Sequence, residues 1–341
     1  MLHMTIGLDL AKNVFQVHGV DVDGAVVLKR RLRRGEVETF FRRLPVSLIG
    51  MEACASAHYW ARTLAALGHE VRLIPASYVK PYVRRNKTDA ADAAAICEAV
   101  SRPHMRFVAV KSADQQAALM LHRTRDLLIR QRTMLINALR AHLAEFGIVT
   151  AQGRRHIETL IEIVRDAEDE RLPTLARPAL EAQIAQYQHV QTQIDEVEAA
   201  ILAWHKDNAL SQRLATVPGI GPITASALAA TIPEVGMFRS GRDLAAWLGL
   251  TPHQNASGEK RSSAGVSKRG DRYLRRLLVV GAMSVIRCNA KADADGATWL
   301  SRLLARRPKK VAALALANKM ARIVWALMAR GERYQKTRAC A

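Results

Sequence analysis

The hydrophobic period of this chain changes once, near residue 112, and that change limits what it can fold into. Before it, short apolar runs of strand length alternate with helix-like stretches; after it, apolar residues recur at helical spacing, broken by polar stretches after Gly147 and Leu250. MTIGLDLA and NVFQVHGVD are β-rich runs, and Asp23-Gly24 supplies a hairpin turn into AVVLKRRL. The helix-like GEVETFFRRL, the apolar strand VSLIGMEA, a helix over Ala57 to Leu67, the strand EVRLIPA and a helix starting near Thr88 follow. Three strands in a meander, then alternating helix and strand, predict a mixed α/β layer ahead of an all-α remainder. Domain limits at 1–110, 111–210 and 211–341 follow from the same pattern.

From about Ser112 to Phe146 the chain reads as one helix, with Leu121, Leu128 and Leu135 seven apart and Leu127 and Met134 beside them. After Gly147 and a polar stretch, a second long helix carries Tyr187, Ile194 and Ile201 at one heptad position. Val190, Val197 and Trp204 occupy another. This is the a/d seam of a coiled coil or of a long helical hairpin. The first helix, whose seam is less regular, fits packing on a globular core as well; for the second the spacing favours the coiled coil.

The third region opens with VPGIGPITASALAATI, where Gly219 and Gly221 sit in a tight turn between helices. Backbone N–H groups at such a turn suit a phosphate, although paired glycines also simply join helices. Past Leu250, TPHQNASGEKRSSAGVSKRGD shows no hydrophobic period and reads as a polar loop leading into the helix RYLRRLLVVGAMSVI.

Charge adds a partner class. The chain carries 51 Lys+Arg against 31 Asp+Glu, a formal +20. Ser257 to Ala341 hold 20 of the cations and 5 of the acids, whereas Arg154 to Asp207 hold 6 against 11. A base-composition bias does not reverse sign in this way, so the C-terminal quarter reads as a polyanion-binding region. An apolar content of 49% excludes wholesale disorder. No uninterrupted apolar run approaches the ~18 residues of a membrane span, so no membrane is expected. MLHMTIGLDLAKN reads as a strand rather than a signal peptide. Cys54, Cys97, Cys288 and Cys340 form no C-x-x-C pair, which argues against a zinc ribbon or disulfide framework and for a reducing cytoplasm.

Four acids stand out by placement. Asp9 lies between apolar Leu8 and Leu10, where a lone carboxylate costs several kcal/mol unless paired or metal-bound. Glu52 ends a strand after Ile49-Gly50-Met51, and Asp89 and Asp92 are one helical turn apart at the start of a helix. Asp89 by itself reads first as a plain helix cap. Taken together, the four can converge on divalent metal, and the scarcity of His and Cys around them favours Mg2+ over zinc.

GLDLAKN with Asp9, GMEACASAHYW with Glu52, and RNKTDAADAAAI with Asp89 and Asp92 resemble the DEDD motif of one group of bacterial insertion-sequence transposases. LATVPGIGPITASALAATI, FRSGRDLAAWLGLTP and NASGEKRSSAGVSKRGDRYLRRLL resemble that family's C-terminal transposase domain, and the likeness spans essentially the whole chain. The resemblance implies an N-terminal RNase H-like (RuvC-like) catalytic domain over 1–110, with Mg2+ on Asp9, Glu52, Asp89 and Asp92. A coiled-coil dimerisation region over 111–210 and a basic helical transposase domain over 211–341 would complete the chain. It further implies a nucleoid-associated DNA recombinase guided by a non-coding bridge RNA, which pairs with target and donor double-stranded DNA. Ser257 would be the nucleophile of a 5′-phosphoserine link, in a homo-oligomer that is a dimer or a tetramer.

From the residues alone, Ser262, Ser263 and Ser267 rival Ser257. Gly219, Gly221, Lys260, Arg261, Lys268, Arg269, Arg272, Arg275 and Arg276 make up the expected nucleic-acid contacts. Two other functions fit the pattern: a RuvC-like nuclease or junction resolvase that uses water as nucleophile, and a non-catalytic nucleic-acid-binding protein.

Overall fold

A computed structural model describes residues 4–83, 88–151, 153, 156–257, 260–289 and 298–335. The first strands are β1 (Thr5–Asp9), β2 (Val14–Val20) and β3 (Val26–Arg33). They form an antiparallel meander, and the Asp21 carboxylate accepts from the Asp23 and Ala25 amides at the β2–β3 turn. Helix α1 (Val37–Arg42), strand β4 (Leu48–Glu52), helix α2 (Ala57–Ala66) and strand β5 (Glu70–Ile74) follow. Strands β4 and β5 add in parallel to β1, giving one mixed sheet in the order β3-β2-β1-β4-β5. Short α3 (Ala76–Val79) leads to α4 (Asp89–Val100). This mixed sheet followed by helices is the mixed α/β layer that the sequence predicts, and it fits the RNase H-like domain that the resemblance implies.

The two faces of the sheet are covered differently. On one, Ile6, Leu8, Phe15, Val17 and Met51 pack against Val37 and Phe41 of α1 and Trp60 and Leu64 of α2. On the other, α4 lies directly on β1 and β4, because Gly7 and Gly50 present no side chain. A Cβ on Gly7 would stand 2.0 Å from the Ala93 carbonyl oxygen and 2.4 Å from the Cys97 nitrogen. A Cβ on Gly50 would stand 2.7 Å from Val100 Cβ. The alanine-rich face of α4, DAADAAAICEAV, is the complement of those glycines.

The chain divides into two compact units. One holds residues 1–116 and 229–332, the other residues 117–228 and 333–341. In the second, α5 (Ala113–Ala144) and α7 (Arg177–Asp207) run antiparallel, with α6 (Ile157–Arg165) packed at one end. The pairing is set by Arg125–Glu198 at 2.7 Å, by the Arg132 guanidinium donating to Gln191 Oε1 at 2.9 Å, and by Leu128 against Val190 and Ile194. Of the two arrangements the heptads allow, this is the helical hairpin. Tyr187, Val190, Ile194 and Ile201 are buried within the chain, and Val197 and Trp204 are half-buried. Helix α8 (Ala209–Leu214) and α9 (Pro222–Thr231) follow, and Gly219 takes a left-handed φ of 85° in the turn between them. His122 of α5 is buried with its Nε2 3.1 Å from Ser226 Oγ of α9, and that hydroxyl donates to the Pro222 carbonyl.

The remainder of the first unit is α10 (Gly241–Trp247), a hairpin of β6 (Pro252–Ser257) and β7 (Lys260–Val266), then α11 (Arg272–Asn289), α12 (Trp299–Leu304) and α13 (Lys309–Arg330). The polar loop expected after Leu250 is therefore a two-stranded ribbon over most of its length. Its strands are held by backbone pairing and carry no alternating apolar face, so periodicity could not reveal them. Helix α13 is long and apolar enough, by length and composition, to cross a membrane. Its buried Ala312, Ala313, Ala317, Met320, Ala321, Val324 and Leu327 instead make the core stripe on which α10, α11 and α12 pack.

Two stability predictions follow from this packing. Gly7→Ala places a methyl inside the β1–α4 contact and lowers unfolding stability by about 3 kcal/mol, read as a drop in the urea midpoint at constant m. Burial, with a smaller contribution from Arg125, lowers the pKa of His122 to about 4. Between pH 6.5 and about 4 the unfolded chain therefore takes up a proton that the folded chain refuses. Stability falls as pH drops through that window, by about 3 kcal/mol in total, and His122→Gln removes this part of the pH profile.

Candidate active site

Asp9 is the last residue of β1 and belongs to the face that α4 covers, two residues beyond Gly7. Glu52 is the last residue of β4, two beyond Gly50 on the same face. The parallel register pairs Gly7 with Gly50 and Leu8 with Met51, so one further step sets Glu52 beside Asp9. Above them, Thr88 caps α4, its hydroxyl accepting from the Ala91 amide at 3.2 Å. The cap starts the helix at Asp89, and the 3.6-residue turn brings Asp92 onto the same side.

The consequence is a cluster of carboxylates from separate elements. One ligating oxygen each from Asp9, Asp89 and Asp92 lies within 4.8 Å of the others, with Asp9 and Asp92 half-buried and Asp89 exposed. Three anions this close repel unless a cation lies among them, and an all-oxygen set suits a hard divalent ion. Glu52 is adjacent by register but outside that group of three. Cys54 sits where both strand acids are felt. Burial first, then Glu52 and Asp9, push its thiol pKa up.

The structure also shows what the sequence reading passed over. Each strand acid is preceded at two residues by a glycine, in GLD and in GME, and those glycines admit the helix that carries the other two acids. A glycine two positions before an isolated strand carboxylate was the available signal.

Ser257 ends β6, and its backbone register partner is Lys260 at the start of β7; Ala256 pairs with Arg261. The connecting residues Gly258 and Glu259 lie outside the described residues. The base of the ribbon is closed by the Ser267 amide donating to the Thr251 carbonyl at 2.9 Å. Beyond it, a second pair of glycines brings two backbones together. A Cβ on Gly249 would lie 1.9 Å from the Arg269 oxygen, and one on Gly270 would lie 1.8 Å from the Trp247 oxygen. Both glycines have positive φ, which a side chain would strain as well.

The expected nucleic-acid contacts fall into different environments. Lys268, Arg269, Arg272 and Arg276 are exposed, and the Arg276 guanidinium stacks on Tyr273 at 5.3 Å. Arg275 is half-buried and donates to the Leu248 and Arg269 carbonyls at 2.9 and 3.3 Å, which ties α11 to the end of α10. Gly221 accepts at its carbonyl from the Ala225 amide at the start of α9, and a Cβ there would meet open space.

Known proteins resemble this chain over nearly its whole length. A DEDD transposase profile of the IS110 type matches residues 6–148, and the profile described as Transposase IS116/IS110/IS902 family matches residues 211–296. A probable family 20 transposase of Pseudomonas aeruginosa is 51% identical over 97% of this chain and 98% of its own length. The transposase for insertion sequence element IS1328 of Yersinia enterocolitica is 40% identical, with the same coverage of both chains. The transposase for insertion sequence element IS1111A of Coxiella burnetii is 37% identical over 97% of this chain and 91% of its own length. A DEDD domain implies a divalent metal, and the Asp9, Asp89 and Asp92 cluster is where the acids of this chain gather. The chain belongs to the IS110/IS116 family of insertion-sequence transposases.

Proposed function

We propose that this transposase carries out RNA-guided strand exchange, with Mg2+ held by Asp9, Glu52, Asp89 and Asp92 and with Ser257 as the nucleophile. The observation that carries the reading is the convergence of three of those acids within 4.8 Å, on a strand and a helix locked by glycine contacts. When bound, Mg2+ neutralises the charge of the scissile phosphate and favours ionisation of an attacking hydroxyl. The carboxylates orient the phosphate by fixing where the cation can stand. The Ser257 oxygen forms a bond to phosphorus, the bond to the 3′ oxygen breaks, and that oxygen leaves as a hydroxyl. A 3′-hydroxyl from another strand then attacks the 5′-phosphoserine and expels the serine, so that no phosphodiester energy is lost to water.

Lys260, the backbone register partner of Ser257, offsets phosphate charge beside it. Arg261, Lys268, Arg269, Arg272, Arg275 and Arg276, with the turn at Gly219 and Gly221, extend the basic contact to donor and target DNA. Sequence choice is delegated to a bridge RNA paired with both DNAs, while the protein holds backbone. The working assembly is a dimer, or a tetramer built from it, with the helical hairpin as the joining element. Met120, Leu127 and Met134, at successive heptad positions of α5, are 63%, 48% and 69% exposed, which supports a second copy on that face.

Denaturing electrophoresis of protein incubated with element-end DNA and Mg2+ tests the nucleophile. Wild-type protein gives a covalent DNA adduct that Ser257→Ala and Asp9→Asn both lose. Cleavage that persists in Ser257→Ala without an adduct assigns the attack to water and overturns the serine. Binding measurements test the basic region. With roughly 6–10 phosphate contacts, DNA affinity falls by about 10³–10⁵ between 50 and 200 mM salt, and a flat response refutes the assignment.

A further inference from the structure

The basic excess of the C-terminal quarter hides a second, shorter one. Between Lys29 and Arg34 five of six residues are cations, KRRLRR, and most of them lie on β3, an edge strand of the mixed sheet. Register sorts them onto two faces, because residues paired straight across a sheet point the same way. Asp9 is opposite Gln16, and Gln16 is opposite Arg31; Gly7 is opposite His18, and His18 is opposite Lys29. Lys29, Arg31 and Arg33 therefore stand on the face that carries Asp9. Arg30 and Leu32, opposite Val17 and Phe15, stand on the other. Lys29 also contributes, after burial, to lowering the His18 pKa, as a cation on the same face does.

Lys29, Arg30, Arg31 and Arg33 are all exposed and form no ion pair with any described residue. Arg34 shows what a structural member of this run looks like. Its guanidinium lies 5.9 Å from the Phe15 ring and 5.3 Å from the Trp60 ring, and donates to the Lys12 carbonyl. Cations on an edge strand also discourage strand addition by another chain, but that purpose is served by either face. The alignment with Asp9 belongs to three residues only.

We propose that Lys29, Arg31 and Arg33 form a phosphate lane that holds the DNA strand undergoing cleavage where it leaves the carboxylate cluster. Arg31 is two strand spacings, about 10 Å, from Asp9 along one row of the sheet. A strand with its scissile phosphate at the acids carries its neighbouring phosphates across that row. The three residues are positioning residues, and the proposal rests on reading the carboxylates as the cleavage site.

The test uses full-length protein, a labelled single-stranded DNA oligonucleotide and the RNA of the same sequence. K29E/R31E/R33E is compared with R30E, which makes the same kind of change on the same edge but the opposite face. The lane predicts that the triple variant binds DNA about tenfold more weakly and that its salt slope falls by about 2, while R30E stays within about twofold of wild type. Should the triple variant fail to fold, Arg31→Gln alone lowers the slope by about 0.7. Equal effects of both variants, unchanged DNA binding, or a loss confined to RNA overturns the proposal. Asp9→Asn, assayed for cleavage in parallel, separates the two readings. Lost cleavage there with unaltered strand binding in the charge-reversed protein removes the lane and leaves the carboxylate site. Retained cleavage removes the carboxylate site and overturns the lane with it.

Discussion

Backbone-to-backbone contact between β1 and α4 governs the arrangement of the acid-bearing part of this protein. Helices normally ride on a sheet at a distance set by two layers of side chains. Here Gly7 and Gly50 remove one layer and the alanines of α4 thin the other, so the first turn of the helix reaches the ends of β1 and β4. Only at that separation can Asp89 and Asp92 share a cation with Asp9. The same device recurs where Gly249 and Gly270 join the end of α10 to the approach of α11, next to the ribbon that bears Ser257. In both places a missing methyl group lets two backbones meet, several residues away from the side chains proposed to act.

Much of this was legible in the chain. The five strands and the helices between them follow from apolar runs of strand length and their turns, and the isolated carboxylate of Asp9 marks the site because such a group needs a partner. What was not legible has physical causes. The β6–β7 ribbon, PHQNAS and KRSSAGV, has no alternating apolar residues to impose a two-residue period. Its existence depends on main-chain pairing that leaves no trace in hydropathy. The heptads of α7 could not reveal their partner, since an a/d seam looks the same whether the other helix is a neighbour in the chain or a second copy. Glu198 and Gln191, facing Arg125 and Arg132, are what select the intrachain pairing. Counting charge by region found the C-terminal excess but averaged away KRRLRR, whose meaning depends on which face of a strand each cation takes.

The order of the chain and the order in space differ. The polypeptide leaves the first compact unit after Gln116, forms the hairpin of α5 and α7, and returns at Ala229. Most of the DEDD match, residues 6–116 of 6–148, and most of the transposase match, residues 229–296 of 211–296, thus lie in one unit although the sequence between them does not. Within that unit Arg106 meets Asp243 at 3.2 Å, an exposed ion pair that contributes little stability. The long helices are an insertion between two parts that pack together.

The sheet order also gives the clustered acids unequal mobility. Asp9 belongs to the central strand, hydrogen-bonded on both sides and covered by helices on both faces, which is the part of such a fold that opens only with global unfolding. Asp89 and Asp92 occupy the first turn of α4, held by one threonine cap and open to solvent at its tip. Helix ends fray at a small fraction of that free energy. The cluster therefore joins one carboxylate on the central strand to two on a helix end, and local opening of the first turn of α4 separates them without opening the sheet.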